Sequence, residues 1–408
     1  MKAIAFLLAA ILPLSWGLPP ALRLTWTLAV FACLGTSLAL GRARLGPGAG
    51  PWLLASLLAA GSTFISAANA EDPNGHFQVG VLIVSMWCVG TITLRWIAAE
   101  RPETLAWLAS GLATGQSASA VVAVAQVFTG ASVFGAEATL GRAPGLSGHS
   151  NVLGLMCAVT ILGAVAVGWR SGRRVIAASV IVLNLAGLLA SASLTAAGAL
   201  AVGALIMAVV SRVRVRRLLL MSGAVVLAAY LVLALAPSEA TIRSPGERLA
   251  QITGQTSAIS TLDTRVHTWA AALAGIKRDG LIGVGLDDTS GVTWIALDGE
   301  TLTHNLILRA WYQGGMAMVL AVLIIYASVL AAVVRAIRLR VAALEAGALG
   351  AMFVFALTSA TLQQPYFWLV AIAAHASLWE KVVERKNLAM TTSHHRPAIG
   401  PLMPARLT

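Results

Sequence analysis

Charge is what this chain has least of. Only 11% of its 408 residues are charged, against about a quarter in a soluble domain, so the sequence cannot cover a water-facing globule. Cysteine is nearly missing: Cys33, Cys88 and Cys157 all lie in apolar runs, which excludes a disulfide framework. No CxxC or HExxH spacing offers a metal site, and no GxxxxGK[ST] offers an ATP loop. The glycines of Gly280-Leu281-Ile282-Gly283-Val284-Gly285 stand in the wrong order for GxGxxG with no strand ahead of them, so they read as a turn. Strand-like alternation is missing as well, which argues against a membrane barrel.

What is abundant is apolar sequence. Hydrophobic residues make up 58% of the chain, and their runs recur from end to end at about the 20 residues that a helix needs to cross the hydrocarbon core. The expected fold is an all-α polytopic membrane protein with twelve spans, near 3 to 18, 21 to 40, 52 to 70, 78 to 97, 104 to 128, 152 to 169, 175 to 191, 195 to 211, 218 to 236, 305 to 334, 345 to 362 and 366 to 380. Met1-Lys2 and the apolar stretch to Pro13 look like a signal peptide. No small-residue cleavage site follows and a second span stands directly behind, so this segment is read as the first helix. Residues 1–236 then hold spans one to nine, 237–304 an outer loop or cap, 305–384 the last three spans and 385–408 a polar tail.

The net charge of +12 is spread between apolar runs, which points to membrane topology and not to nucleic acid. With both termini inside, twenty Lys and Arg fall in inner segments and eight in outer ones, as the positive-inside rule requires. Trp16, Trp52, Trp96, Trp169, Trp311 and Trp379 lie near span ends, where interfacial tryptophans sit.

Orientation gives no reason for the eight outer basic residues, five of which cluster in the long polar stretch Pro237 to Thr303. Eight of the sixteen acids lie there too, so the stretch reads as a folded, solvated cap. Inside it, Ser260-x-x-Asp263 opens a helix to about Arg278, with Leu262, Val266, Trp269, Leu273 and Ile276 on one face and Arg265 at its edge. Such a helix either lies on the outer leaflet with Arg265 at phosphate level, or packs on the membrane domain with Arg265 snorkelling.

Polar residues without an evident structural need gather at four outward places. These are Gly141 to Asn151 with Arg142 and His149, the turn with Ser191, Ser193 and Thr195, the long loop with Arg243, Arg248 and Arg265, and the helix start at His304-Asn305 with Arg309 one turn on. By position alone, Arg142 reads as part of a flexible connector and His304 equally as a helix cap or a base. Arg309 is harder to dismiss, since a buried arginine in a span marks a partner or a wet cavity. Ionisable groups near the midplane, which an ion-coupled transporter or flippase needs, are almost missing, with His375 the main exception.

Arg265-x-x-x-Trp269, the Gly283-x-Gly285 turn, and His304-Asn305 with Gly315 behind it resemble the signature of the bacterial O-antigen ligase and polysaccharide polymerase family. The segment from Arg142 through His149 and Asn151 is similar to that family's Arg…Gly…His-x-Asn stretch. The resemblance implies a GT-C-like glycosyltransferase of the bacterial inner membrane with its loop in the periplasm and its tail in the cytoplasm. The donor it implies is a glycan on undecaprenyl diphosphate, and the acceptor is lipid A-core for a ligase or a growing chain for a polymerase. His304 matches the essential histidine, and Arg265 and Arg142 match arginines that hold the diphosphate, with Asn305, Trp269, His149 and Asn151 in support. Two departures stand out: Ser191 to Thr195 lacks an arginine common there, and Gln313 replaces a frequent Glu. A third arginine, if required, must therefore come from Arg243, Arg248 or Arg309. Membrane lipids are the remaining expected partner; metal, cofactor and ATP are not expected.

Overall fold

The computed structural model describes residues 2–15, 17–138, 142–213, 261–296 and 299–394. The expected ninth span at 218 to 236, the first part of the long loop with Arg243 and Arg248, and Trp16 lie outside these residues. The described chain forms α1 (Lys2–Ile11), α2 (Pro20–Ala39), α3 (Ala49–Ser66), α4 (Pro73–Ser85), α5 (Thr91–Glu100), α6 (Pro102–Thr129), α7 (Ser150–Ser171), α8 (Arg174–Ser191) and α9 (Leu194–Ser211). After the long loop's α10 (Thr261–Asp279), the hairpin β1 (Val292–Ala296) and β2 (Gly299–Leu302) leads into α11 (Leu306–Leu339), α12 (Ala343–Ala356) and α13 (Pro365–His394). A π-turn over Met86–Gly90 carries α4 into α5 as one rod.

The protein is a polytopic helical membrane protein. Eight helical stretches among the described residues are long and apolar enough to cross a membrane, on expected spans two to eight and ten. Their outward residues stay apolar, with Leu57 at 69% exposure and Val175 at 80%, as a lipid-facing surface requires. The first expected span is shorter, ten α-helical residues and one 3-10 turn to Leu14. The eleventh also falls short: α12 stops at Ala356, and the residues to 362 form an irregular polar crossing. Helix α13 covers the twelfth and continues through 385–394, where the sequence reads as a tail. The two-stranded antiparallel hairpin was not expected, because one short ribbon in a loop leaves no periodicity to detect.

Small residues set the helix spacing. A Cβ on Gly111 or Gly115 of α6 would meet the main-chain oxygens of Phe6 and Ala10 on α1, so those backbones pack directly against each other. In α7, Leu153, Leu155, Met156, Cys157 and Ala158 are fully buried, which makes it the central rod.

Two features differ from the topological reading. Trp52 is fully buried and packs edge-on against Trp368, 6.2 Å away, so it is a core residue and not an interfacial anchor. Arg95, counted as an inner loop charge, lies inside α5 with 1% exposure and donates to the Pro47 carbonyl (2.5 Å) and to His375 Nδ1 (2.9 Å). His375 is thereby tied into the packing of α5 against α13.

The feature that positions the site is a break in α11. Gly315 sits at φ 68°, ψ −163°, a backbone state open to glycine, and a Cβ there would meet the Ile282 carbonyl group at 2.5 Å. The break frees backbone groups that the glycine turn of the long loop takes up. Val284 N–H donates to Tyr312 O (3.0 Å), Gly285 N–H to Gln313 O (2.9 Å), and Met316 N–H to Leu281 O (3.2 Å). The two glycine signals read from the sequence, Gly283-x-Gly285 and Gly315, are therefore two halves of one joint.

Candidate functional site

Helices α7, α9 and α11 all begin at the end of the bundle where α10 and the hairpin sit. Their caps are His149, whose Nδ1 accepts from Asn151 N–H (3.1 Å), Ser193, whose Oγ accepts from Ala196 N–H (3.4 Å), and Asn305, whose Oδ1 accepts from Ile307 and Leu308 N–H (3.0 Å each). Helix starts carry partial positive charge, so this end favours an anion before any side chain is added.

The arginines add to it. Arg142 donates from Nη2 to Asn151 Oδ1 (2.6 Å) and from Nε to Ser191 O (3.3 Å), and Ser193 Oγ donates to the same Asn151 oxygen (3.0 Å). That joins the start of α7 to the start of α9. Arg265, half-buried on α10, donates to Thr195 Oγ1 (3.2 Å) on the first turn of α9. It is held by protein and does not snorkel. Burial lowers its pKa from the ordinary arginine value, from which a guanidinium still stays charged. The face of α10 turned inward is Thr268 and Ala272, with Gly275 against Tyr312, while Val266 and Leu273 are exposed. So the helix packs through its small residues and Trp269, while part of the large apolar stripe is left outside.

His304 stands between β2 and α11. Its Nδ1 lies 2.8 Å from the Leu302 carbonyl, which can only accept, so the proton sits on Nδ1 and Nε2 carries the lone pair. Its main-chain oxygen accepts from Trp269 Nε1 (3.2 Å), which fixes α10 against the mouth of α11. Burial pushes the imidazole down to about 4; the charges of Arg265, Arg309 and Arg142 add to this against the lift from Leu302. Three arginines from three separate segments thus act on one histidine.

Arg309 is the most enclosed of them, at 1% exposure. Its Nε donates to Gln313 Oε1 (2.5 Å), Nη2 to Asp288 Oδ1 (3.4 Å) and Nη1 to Ala360 O (3.4 Å). Gln313 in turn donates to Asp287 O (2.9 Å), so this glutamine holds the arginine and the loop together.

The structure therefore brings together Arg142, Asn151, Arg265, Trp269, His304, Asn305 and Arg309. His149 is an exposed helix cap, and Arg248 lies outside the described residues. The sequence reading missed His76, which is fully buried: one ring nitrogen bonds Thr63 O (2.7 Å) and the other accepts from Leu286 N–H (2.8 Å). It ties the loop to α3 and α4. Asp288 and the crossing at 357–364 were missed as well, because only the fold brings them to Arg309. Among the described residues, no group of three or more His, Cys, Asp or Glu is arranged to hold a metal ion. No protein-family model matches the chain, and a search of curated proteins finds no match to it.

Proposed function

We propose that the chain is a membrane glycosyltransferase that moves a glycan from undecaprenyl diphosphate to lipid A-core, an O-antigen ligase working at the periplasmic face of the inner membrane. One observation carries the reading: a half-buried histidine, whose Nδ1 is held by Leu302 O and whose Nε2 has no hydrogen bond among the described residues, shares its surroundings with Arg142, Arg265 and Arg309 at the mouths of apolar helices. A lipid diphosphate leaves readily once its charge is met, and planar guanidinium groups meet phosphate oxygens in bidentate fashion. In the proposed reaction an acceptor hydroxyl oxygen attacks the anomeric carbon and the bond from that carbon to the diphosphate oxygen breaks. The electron pair leaves on the diphosphate, and the hydroxyl proton passes to His304 Nε2. Attack from the face opposite the leaving group inverts the anomeric centre. Arg265 and Arg142 hold the diphosphate, with Trp269, Asn305 and Asn151 fixing the frame.

The acid limb of the pH profile tests the base. A histidine depressed to about 4 keeps its lone pair far below the ordinary imidazole pKa, so kcat/KM should fall only as pH drops toward 4. A bound diphosphate offsets the three arginine charges and raises the imidazole, so the acid limb of kcat should lie at higher pH than that of kcat/KM. Coincident limbs near the ordinary histidine value would contradict the assignment.

The accumulation pattern in a strain lacking the gene tests the reaction itself. Long carrier-linked chains with bare lipid A-core are expected. Cores capped by a single repeat unit would assign the chain to polymerisation instead, and unchanged glycans would point to a transporter or another role.

A further inference from the structure

His76, one turn into α4, is fully buried and has no part in the proposed reaction. The Thr63 carbonyl, 2.7 Å from Nε2, can only accept, so the proton sits on Nε2 and Nδ1 is left to accept from Leu286 N–H at 2.8 Å. Only the second bond leaves the pair of helices α3 and α4. Those helices already meet closely without the ring, since a Cβ on Gly80 would overlap the Thr63 side chain. Joining α3 to α4 therefore gives no reason for a histidine. The ring nitrogen left over from that contact is spent on the long loop.

The part of the loop that His76 holds, Gly283 to Gly291, has neither helix nor strand. Its ends are pinned to the turn after α3, where Gly283 O accepts from Asn69 Nδ2 (2.9 Å) and Ser290 Oγ accepts from Glu71 N–H (3.0 Å). At Leu286 both main-chain groups go to side chains, the N–H to His76 and the carbonyl to Gln363 Nε2 (2.8 Å). Those two side chains set the direction of the peptide that leads into Asp287 and Asp288. The aspartates carry the contact onward: Asp287 O accepts from Gln313 Nε2 (2.9 Å), and Asp288 Oδ1 pairs with Arg309 Nη2 (3.4 Å). Gln313 Oε1 also accepts from Arg309 Nε (2.5 Å), and Arg309 is one of the charges that act on His304.

A side-chain bond to a main-chain amide in such a segment fixes its direction, and a misplacement of about 1 Å away from the chemistry costs up to about a hundredfold in rate. We propose that His76 is a positioning residue for glycan transfer: its Nδ1 latches Leu286, so that Asp288 and Gln313 hold the Arg309 guanidinium in one place relative to His304. This rests on the transfer reaction proposed above. It gives His76 no contact with donor or acceptor. Arg142 and Arg265 are bonded to α7, α9 and the end of α8, so the KM for the carrier-linked donor is expected to be indifferent to the latch.

The test uses the purified full-length protein and two variants that divide the ring between them. His76→Asn keeps an acceptor where Nδ1 stands and gives up the Thr63 bond, whereas His76→Gln reaches Thr63 O with its amide N–H and leaves Leu286 N–H without an acceptor. Each loses one buried hydrogen bond, so thermal midpoints should fall by similar amounts. In His76→Gln kcat should fall about tenfold or more, and in His76→Asn by less than about threefold, with the donor KM unchanged in both. Amide exchange read by mass spectrometry without substrate should quicken over 283–291 in His76→Gln alone. Equal losses of kcat in the two variants, a larger loss in His76→Asn, or wild-type kcat in both overturns the positioning role. If the wild type transfers no glycan at all, exchange still decides: quickening confined to His76→Gln keeps the latch while the transfer reaction falls, and equal exchange in the two variants overturns the latch as well.

Discussion

His304→Ala is expected to insert and fold as the parent does and to lose glycan transfer by about a hundred- to ten-thousand-fold, the usual contribution of a positioned base. Folding survives because the imidazole is only half-buried and its side-chain hydrogen bond goes to Leu302 O, whose loss costs about 1 kcal/mol. The contact that fixes α10 to the mouth of α11 runs from Trp269 Nε1 to the His304 main-chain oxygen, which alanine keeps. The helix start is capped by Asn305, which also stays. Transfer fails because the attacking hydroxyl then has no acceptor for its proton beside the charge cluster. Turnover is measured on purified protein with carrier-linked glycan and core acceptor, and the thermal midpoint alongside. Wild-type turnover in the variant would remove His304 from the chemistry, and a collapsed midpoint would assign it to structure.

The parts of the fold legible in the sequence are those set by local composition. Seven successive expected spans and the tenth reappear because hydropathy is a property of the segment itself. The same holds for α10, whose helical signal is local to its own segment, and for the glycines at 283, 285 and 315, which mark where the backbone leaves ordinary geometry. What the sequence hid depends on partners far away in the chain. Apolar neighbours drew the eleventh span on to 362, although the helix ends at Ala356 and the Ala360 carbonyl beyond it accepts from Arg309. Trp52 resembled an interfacial anchor because its place near a span end is visible and its packing on Trp368, 316 positions later, is not. For the site, His304 and Arg265 could be singled out by position and pattern, but that Arg265 meets Thr195 and that Arg309 is bound by Gln313 and Asp288 needed the fold.

Gln313 shapes the charge that Arg309 presents to the site. A glutamate at this position would face the Arg309 guanidinium directly and neutralise it; glutamine bonds it through an uncharged oxygen, and Asp288 supplies a more distant charge at 3.4 Å. Arg309 therefore keeps part of its field, which is the one acting on His304 from the α11 side. The Ser191 to Thr195 turn has no arginine of its own, and Thr195 there receives Arg265 from α10.

Arg265→Lys is expected to cut transfer by about a hundredfold although it keeps the charge, comparable to losing one preorganised donor to a developing oxyanion. The guanidinium sets two parallel N–H groups against a diphosphate while Nη2 still holds Thr195 at 3.2 Å. An ammonium has three donors on a flexible stem and no fork, so it cannot keep Thr195 and two phosphate oxygens in fixed directions at once. Because the loss falls on leaving-group stabilisation, kcat should drop more than the affinity for the acceptor. The same substitution leaves His304 under a positive neighbour, so the acid limb of kcat/KM should not move much. Lysine turning over at the wild-type rate would exclude a bidentate role for Arg265 and leave Arg142 to hold the diphosphate in the proposed reaction.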